Sequence, residues 1–69
     1  MYSLIQGSKV HEYNLSESDI SDILDGYDAL FHNLGFSTVV SVSNETQLPN
    51  IKVIENNQLR TTLSFRKDK

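Results

Sequence analysis

Within Leu15 to Gly35, LSESDISDILDGYDALFHNLG, apolar residues recur at Ile20, Ile23, Leu24, Tyr27, Leu30, Phe31 and Leu34. The 3,1,3,3,1,3 spacing has the period of an α-helix with one apolar face. At about 100° per residue these side chains fall within about 120° of arc, a stripe suited to packing on a sheet. The ends carry matching signals. Ser16 with Asp19 three residues later makes a capping-box pattern, Asp standing in the Glu position, with Ser18 as the rival N-cap. Gly35 directly after Leu34 suits the left-handed residue that ends a helix. Gly26 falls on the polar edge and costs about 1 kcal/mol against alanine. A tolerated surface glycine is the simpler reading, and close approach of another backbone is the rival.

The flanks read as short strands. Tyr2 to Ile5 and Lys9 to Tyr13 surround Gln6-Gly7-Ser8, a hairpin loop with glycine at the left-handed position. After the helix, Phe36 to Ser43 alternates, with Phe36, Thr38, Val40 and Val42 on one side and mostly serines on the other. Asn44 to Asn50 is a loop containing Pro49. Ile51 to Glu55 and Leu59 to Arg66 form a second hairpin around Asn56-Asn57-Gln58. A two-residue turn there sets Val53 opposite Arg60, whereas a three-residue loop sets Val53 opposite Thr61 and Ile51 opposite Leu63. Burial of one face favours the second register, because a slip of one residue inverts every side chain. It buries Leu59, Leu63 and Phe65 and leaves Arg60, Thr62, Ser64 and Arg66 facing out.

The expected fold is α+β, a two-layer arrangement of an antiparallel sheet with a single amphipathic helix on one face, in the order ββαβββ. The 69 residues make one small domain, with 67–69 expected to fray. A domain of that size buries only about 60% of its unfolded surface. No cysteine is present to reinforce it with disulfides or thiolate metal sites. The absence suits a reducing compartment. The N-terminal MYSLIQGSK also lacks the basic and apolar regions of a signal peptide, so a cytoplasmic location is expected.

Charge is unevenly distributed. Five of the nine acidic residues, Glu17, Asp19, Asp22, Asp25 and Asp28, lie in the helical stretch, which contains no lysine or arginine. The rest of the chain holds the other four acids against six bases. Asp19 to Asp28 spread over about 14 Å of helix and wind around some 180° of its polar side. Neighbouring β-carbons stand about 5–6 Å apart, approaching the charge spacing of a nucleic-acid strand. The arrangement is locally unfavourable, because like charges repel and aspartate is a weak helix former. Asp25 and Asp28 also lie beyond the reach of the N-terminal dipole.

Other chemistry finds little support. His11 and His32 belong to no catalytic motif, and the chain is not expected to be an enzyme or to carry a cofactor. Asp28 and His32 share a helical face and could form half a metal site, but an ordinary carboxylate–imidazole pair is the simpler reading. DISDILDG is not a calcium loop, since its acids recur at three within an apolar helical pattern. Direct nucleic-acid binding would depend on Lys52, Arg60 and Arg66, too few bases for strong electrostatic attraction.

The expected function is therefore that of a non-catalytic protein-binding module. Its acidic residues Glu17, Asp19, Asp22, Asp25 and Asp28 would dock on a basic surface of another protein, away from any membrane. In its sharpest form the module inhibits a nucleic-acid-handling protein by mimicking phosphate charge, as a phage or mobile-element regulator of the anti-CRISPR or anti-restriction kind would. The alternative is a structural or assembly subunit that associates through a sheet edge or as a homodimer.

Overall fold

The computed structural model describes residues 1–68. In chain order the elements are β1 (Tyr2–Gln6), β2 (Lys9–Leu15), α1 (Glu17–Asn33), β3 (Ser37–Val42), β4 (Pro49–Glu55) and β5 (Gln58–Lys67). The five antiparallel strands form one sheet in the order β2-β1-β5-β4-β3, so α1 carries the chain from one edge of the sheet to the other. This is the expected α+β domain with the order ββαβββ.

The first hairpin turns more tightly than its sequence suggests. Gly7-Ser8 alone forms the turn, with Gly7 at φ +61°, and Gln6 pairs with Lys9. Positive φ at the first central position of a two-residue loop is the type II′ pattern that favours glycine. β2 then departs twice from regular pairing: Ile5 pairs with Val10, Leu4 with Glu12, and Tyr2 with Leu15. The first bulge leaves His11 unmatched, and the second contains Asn14 at φ 59°. Bulges of this kind re-aim side chains. The second one returns Leu15 to the buried side of the sheet, immediately before the helix.

Ser16 is the N-cap of α1. Its hydroxyl accepts from Asp19 N–H, and the Asp19 carboxylate accepts from Ser16 N–H, completing the capping box. At the other end Leu34 is the C-cap, and Gly35 follows at φ 90°. The stretch predicted as helix thus loses Leu15 to β2, while its two end signals act as read. Its apolar stripe is only partly covered. Ile20 is buried and Ile23, Leu24, Tyr27 and Phe31 pack against the core, but Leu30 and Leu34 are exposed. A single helix is too narrow to cover five strands, and its last turn stands over the sheet edge.

The second hairpin combines both registers considered for it. Asn56 and Asn57 form a two-residue turn, with φ 53° and 63°, and Glu55 pairs with Gln58 and Ile54 with Leu59. Two successive positive φ values are the type I′ signature. Arg60 is then skipped, and Val53 pairs with Thr61 and Ile51 with Leu63. The bulge restores the register that burial demands. It also corrects the expectation for Leu59, which shares the open face with Ile54 and is exposed instead of buried.

The core consists of Leu4, Leu15, Ile20, Ile51, Val53, Leu63 and Phe65. Its sheet part lies mostly on the three central strands, where Leu4 pairs with Phe65 and Ile51 with Leu63. The C-terminal end is held: Lys67 pairs with Tyr2, Asp68 N–H donates to Met1 O (2.8 Å), and Ser3 Oγ donates to the Asp68 carboxylate. Of the segment 67–69 expected to fray, Lys67 is the last residue of β5, Asp68 makes these two contacts just beyond it, and Lys69 lies outside the described residues.

Candidate functional site

The structure separates the helical acids into two groups. Asp19 belongs to the capping box, and hydrogen bonds from the Ser16 backbone and side chain hold its carboxyl below the usual aspartate value. Asp28 is half-buried at the other end of the row. There Thr38 Oγ1 donates to the Asp28 carboxylate and accepts from His32 Nε2 at 2.9 Å, with His32 Nε2 3.7 Å from Asp28 Oδ1. The threonine hydroxyl thus ties the end of α1 to β3. Part of the apparent strain of the row is resolved, because Asp19 and Asp28 each have a structural partner.

Glu17, Asp22 and Asp25 form the second group. All three are exposed, and among the described residues none has a side-chain hydrogen bond or an ion pair. Asp22 and Asp25 lie one helical turn apart on the outer surface, which separates their β-carbons by about 5–6 Å. Gly26 adjoins them. A Cβ placed on Gly26 would meet nothing within 4 Å, so no backbone of this chain needs the glycine there.

On the open face of the sheet the cations are mostly neutralised internally. Arg60 lies 3.4 Å from Glu55 and Arg66 3.0 Å from Asp68. The Ser3 hydroxyl is the largest influence holding the Asp68 carboxyl below its usual value, and Arg66 contributes in the same direction. Of the three bases considered for phosphate contact, Lys52 is left without an ion pair among the described residues.

A second polar cluster was not visible in the sequence. The Gln6 amide accepts from His11 Nε2 at 2.8 Å and donates to Thr61 Oγ1 at 2.7 Å, while the His11 ring stands edge-on to Tyr27 with centroids 6.2 Å apart. Burial, and then the charge of Glu12, push the Tyr27 phenol above its usual value. Two bulges create the cluster, the one at His11 on β2 and the one at Arg60, which sets Thr61 opposite Val53. No local motif marks this arrangement.

Among the described residues no three His, Asp or Glu side chains gather into a metal-holding group, and no helix is long and apolar enough to cross a membrane. Compared with protein-family models, curated proteins and solved structures, the chain matches none.

Proposed function

We propose that this protein is a non-catalytic, cytoplasmic binding module whose acidic helix docks on a basic surface of another protein. In the sharper form of this reading it occupies the phosphate-binding surface of a nucleic-acid-handling protein and inhibits it by charge mimicry. The observation that carries the reading is the set Glu17, Asp22 and Asp25, exposed on a helix without lysine or arginine and unsatisfied by any partner within the described residues. Asp19 and Asp28 add charge at the two ends of the row while serving the capping box and the Thr38 contact. Of these, Asp22 and Asp25 lie beyond the first turn, where carboxylates cost helix stability and give little back locally, and conflicts of this kind concentrate at functional surfaces.

Charge segregation adds support. The helix presents a single sign, whereas Arg60 and Arg66 on the sheet are paired with Glu55 and Asp68. Long-range attraction of this molecule is thus directed through α1 toward a positive surface.

The test is affinity capture from the native host at low and at high salt. Binding through the acidic row weakens steeply as salt rises. The variant carrying Glu17→Gln, Asp22→Asn and Asp25→Asn, which touches no side-chain hydrogen bond among the described residues, should lose the partner. Capture that survives both high salt and these substitutions would sink the proposal.

A further inference from the structure

The two edges of the sheet are protected very differently. β2 carries Lys9 and Glu12 and is broken by two bulges, features that discourage edge pairing. β3, STVVSV, has no charge, no proline and no bulge, and pairs with β4 in six uninterrupted steps from Ser37–Ile54 to Val42–Pro49. An unbulged, uncharged edge rich in β-branched residues is a template for another strand.

The direction of its free backbone groups can be read from the ladder. Ser43 N–H donates to Leu48 O at 2.9 Å and continues the β3–β4 pairing by one step. Pairing alternates along an antiparallel strand. Ser37, Val39 and Ser41 therefore turn their backbone groups toward β4, and Thr38, Val40 and Val42 turn theirs outward. The side chains beside them are uncovered as well: Val40 is 48% exposed, Val42 58%, and Leu30 and Leu34, on the helical turn leading into β3, 47% and 62%.

We infer that β3 is a dimerisation edge, pairing antiparallel with β3 of a second copy about a two-fold axis through Val40. The strand is complementary to itself in this register. Val40 meets Val40, Thr38 meets Val42, and Val39 meets Ser41, each pair on one face of the joined sheet. All three outward-facing residues of each copy then find outward-facing partners. Centring the axis on Val39 instead would set Val42 against Phe36, whose N–H is already engaged by Phe31 O at 3.0 Å. A contact on a two-fold axis brings like groups together, and an edge without charge incurs no repulsion there. The chain's other edge, with Lys9 and Glu12, lacks this property. The occupant is therefore a second copy of this chain, which doubles the sheet to ten strands and covers the apolar margin beside each helix end. Glu17, Asp22 and Asp25 lie outside β3, so this inference stands or falls separately from the proposed docking of the acidic helix.

Sedimentation equilibrium of the full chain from about 1 μM to about 1 mM should show a monomer–dimer equilibrium. Val40→Lys should shift it to monomer, and Val10→Lys on β2 should leave it unchanged. Amide exchange of the unsubstituted protein gives a readout that does not depend on either variant folding. Thr38, Val40 and Val42 should exchange about tenfold or more slowly in the concentrated sample, while Val39 and Ser41 are protected in both. A monomer across the whole range overturns the inference. So does association that only Val10→Lys abolishes, or exchange at Thr38, Val40 and Val42 that ignores concentration.

Discussion

Val53 faces Thr61 across the second hairpin, although the turn joining their strands counts toward Arg60. Two requirements compete here. The Asn56-Asn57 turn matches the twist of its strands as a two-residue loop, while burial needs Val53, Ile51 and Leu63 on one face. Arg60, the unmatched residue, satisfies both. Deleting Arg60 should therefore be tolerated, within about 1 kcal/mol, because the remaining ladder becomes regular and the lost Glu55 contact is an exposed ion pair. Deleting Ser64, where no bulge absorbs the change, would turn Phe65 to the open face and Arg66 to the core. That variant should not fold. Circular dichroism and urea unfolding of the two deletions distinguish the cases.

The same turn holds two asparagines at positive φ. Asparagine followed by glycine is the preferred pair for this geometry, because glycine meets no Cβ penalty in the left-handed region. Asn57→Gly should raise stability by up to about 1 kcal/mol, read as a higher urea midpoint at constant slope.

Helix α1 offers two opposite substitutions. Gly26→Ala places a methyl in open space within a helix and should stabilise by about 1 kcal/mol. For a domain of this size that corresponds to a rise in Tm of about 4–8 °C. Ser16→Ala removes the hydroxyl that accepts from Asp19 N–H and should cost about 1 kcal/mol.

Acid should destabilise the fold through two identified carboxyls. Asp19 is held low by the Ser16 backbone and side chain, and Asp68 chiefly by Ser3 with help from Arg66. A carboxyl whose folded value lies below its unfolded one contributes stability that is full above the unfolded aspartate value of about 3.9. That stability is lost as pH falls through the folded value. Thermal melts from neutral pH downward should show the loss setting in below about pH 4. Asp19→Asn and Asp68→Asn together should flatten the decline.

Features governed by neighbours in sequence were legible in advance. Ser16, Asp19 and Gly35 bounded the helix because a cap is decided within four residues, and the alternation of Thr38, Val40 and Val42 placed them on one face of the sheet. What was hidden depends on distant partners. Alternation alone puts Leu59 on the buried face because it cannot reveal a bulge at Arg60. Leu30 and Leu34 fit the apolar stripe, yet lie exposed because the helix ends over an edge strand. The bond from Thr38 to Asp28 joins residues ten positions apart through a helix–strand connection, so the spacing of the aspartates could not distinguish Asp28 from Asp22.

That distinction sharpens the test of the acidic row. Asp22→Asn with Asp25→Asn removes two charges without touching a side-chain hydrogen bond among the described residues, so stability should change by no more than about 0.5 kcal/mol. The change should be toward greater stability, since like charges one turn apart repel. Asp28→Asn differs: it replaces the carboxylate that accepts from Thr38 and leaves the half-buried hydroxyl with a weaker partner, at a cost of about 1 kcal/mol. If the row binds a basic partner, the double substitution weakens binding and lowers its salt dependence while the fold is unharmed. Asp28→Asn alone would lower both stability and affinity. Melting curves beside a salt titration of binding separate the two effects, and a double variant that is stable and still binds with undiminished salt dependence would show that the carboxylates of Asp22 and Asp25 do not carry the interaction.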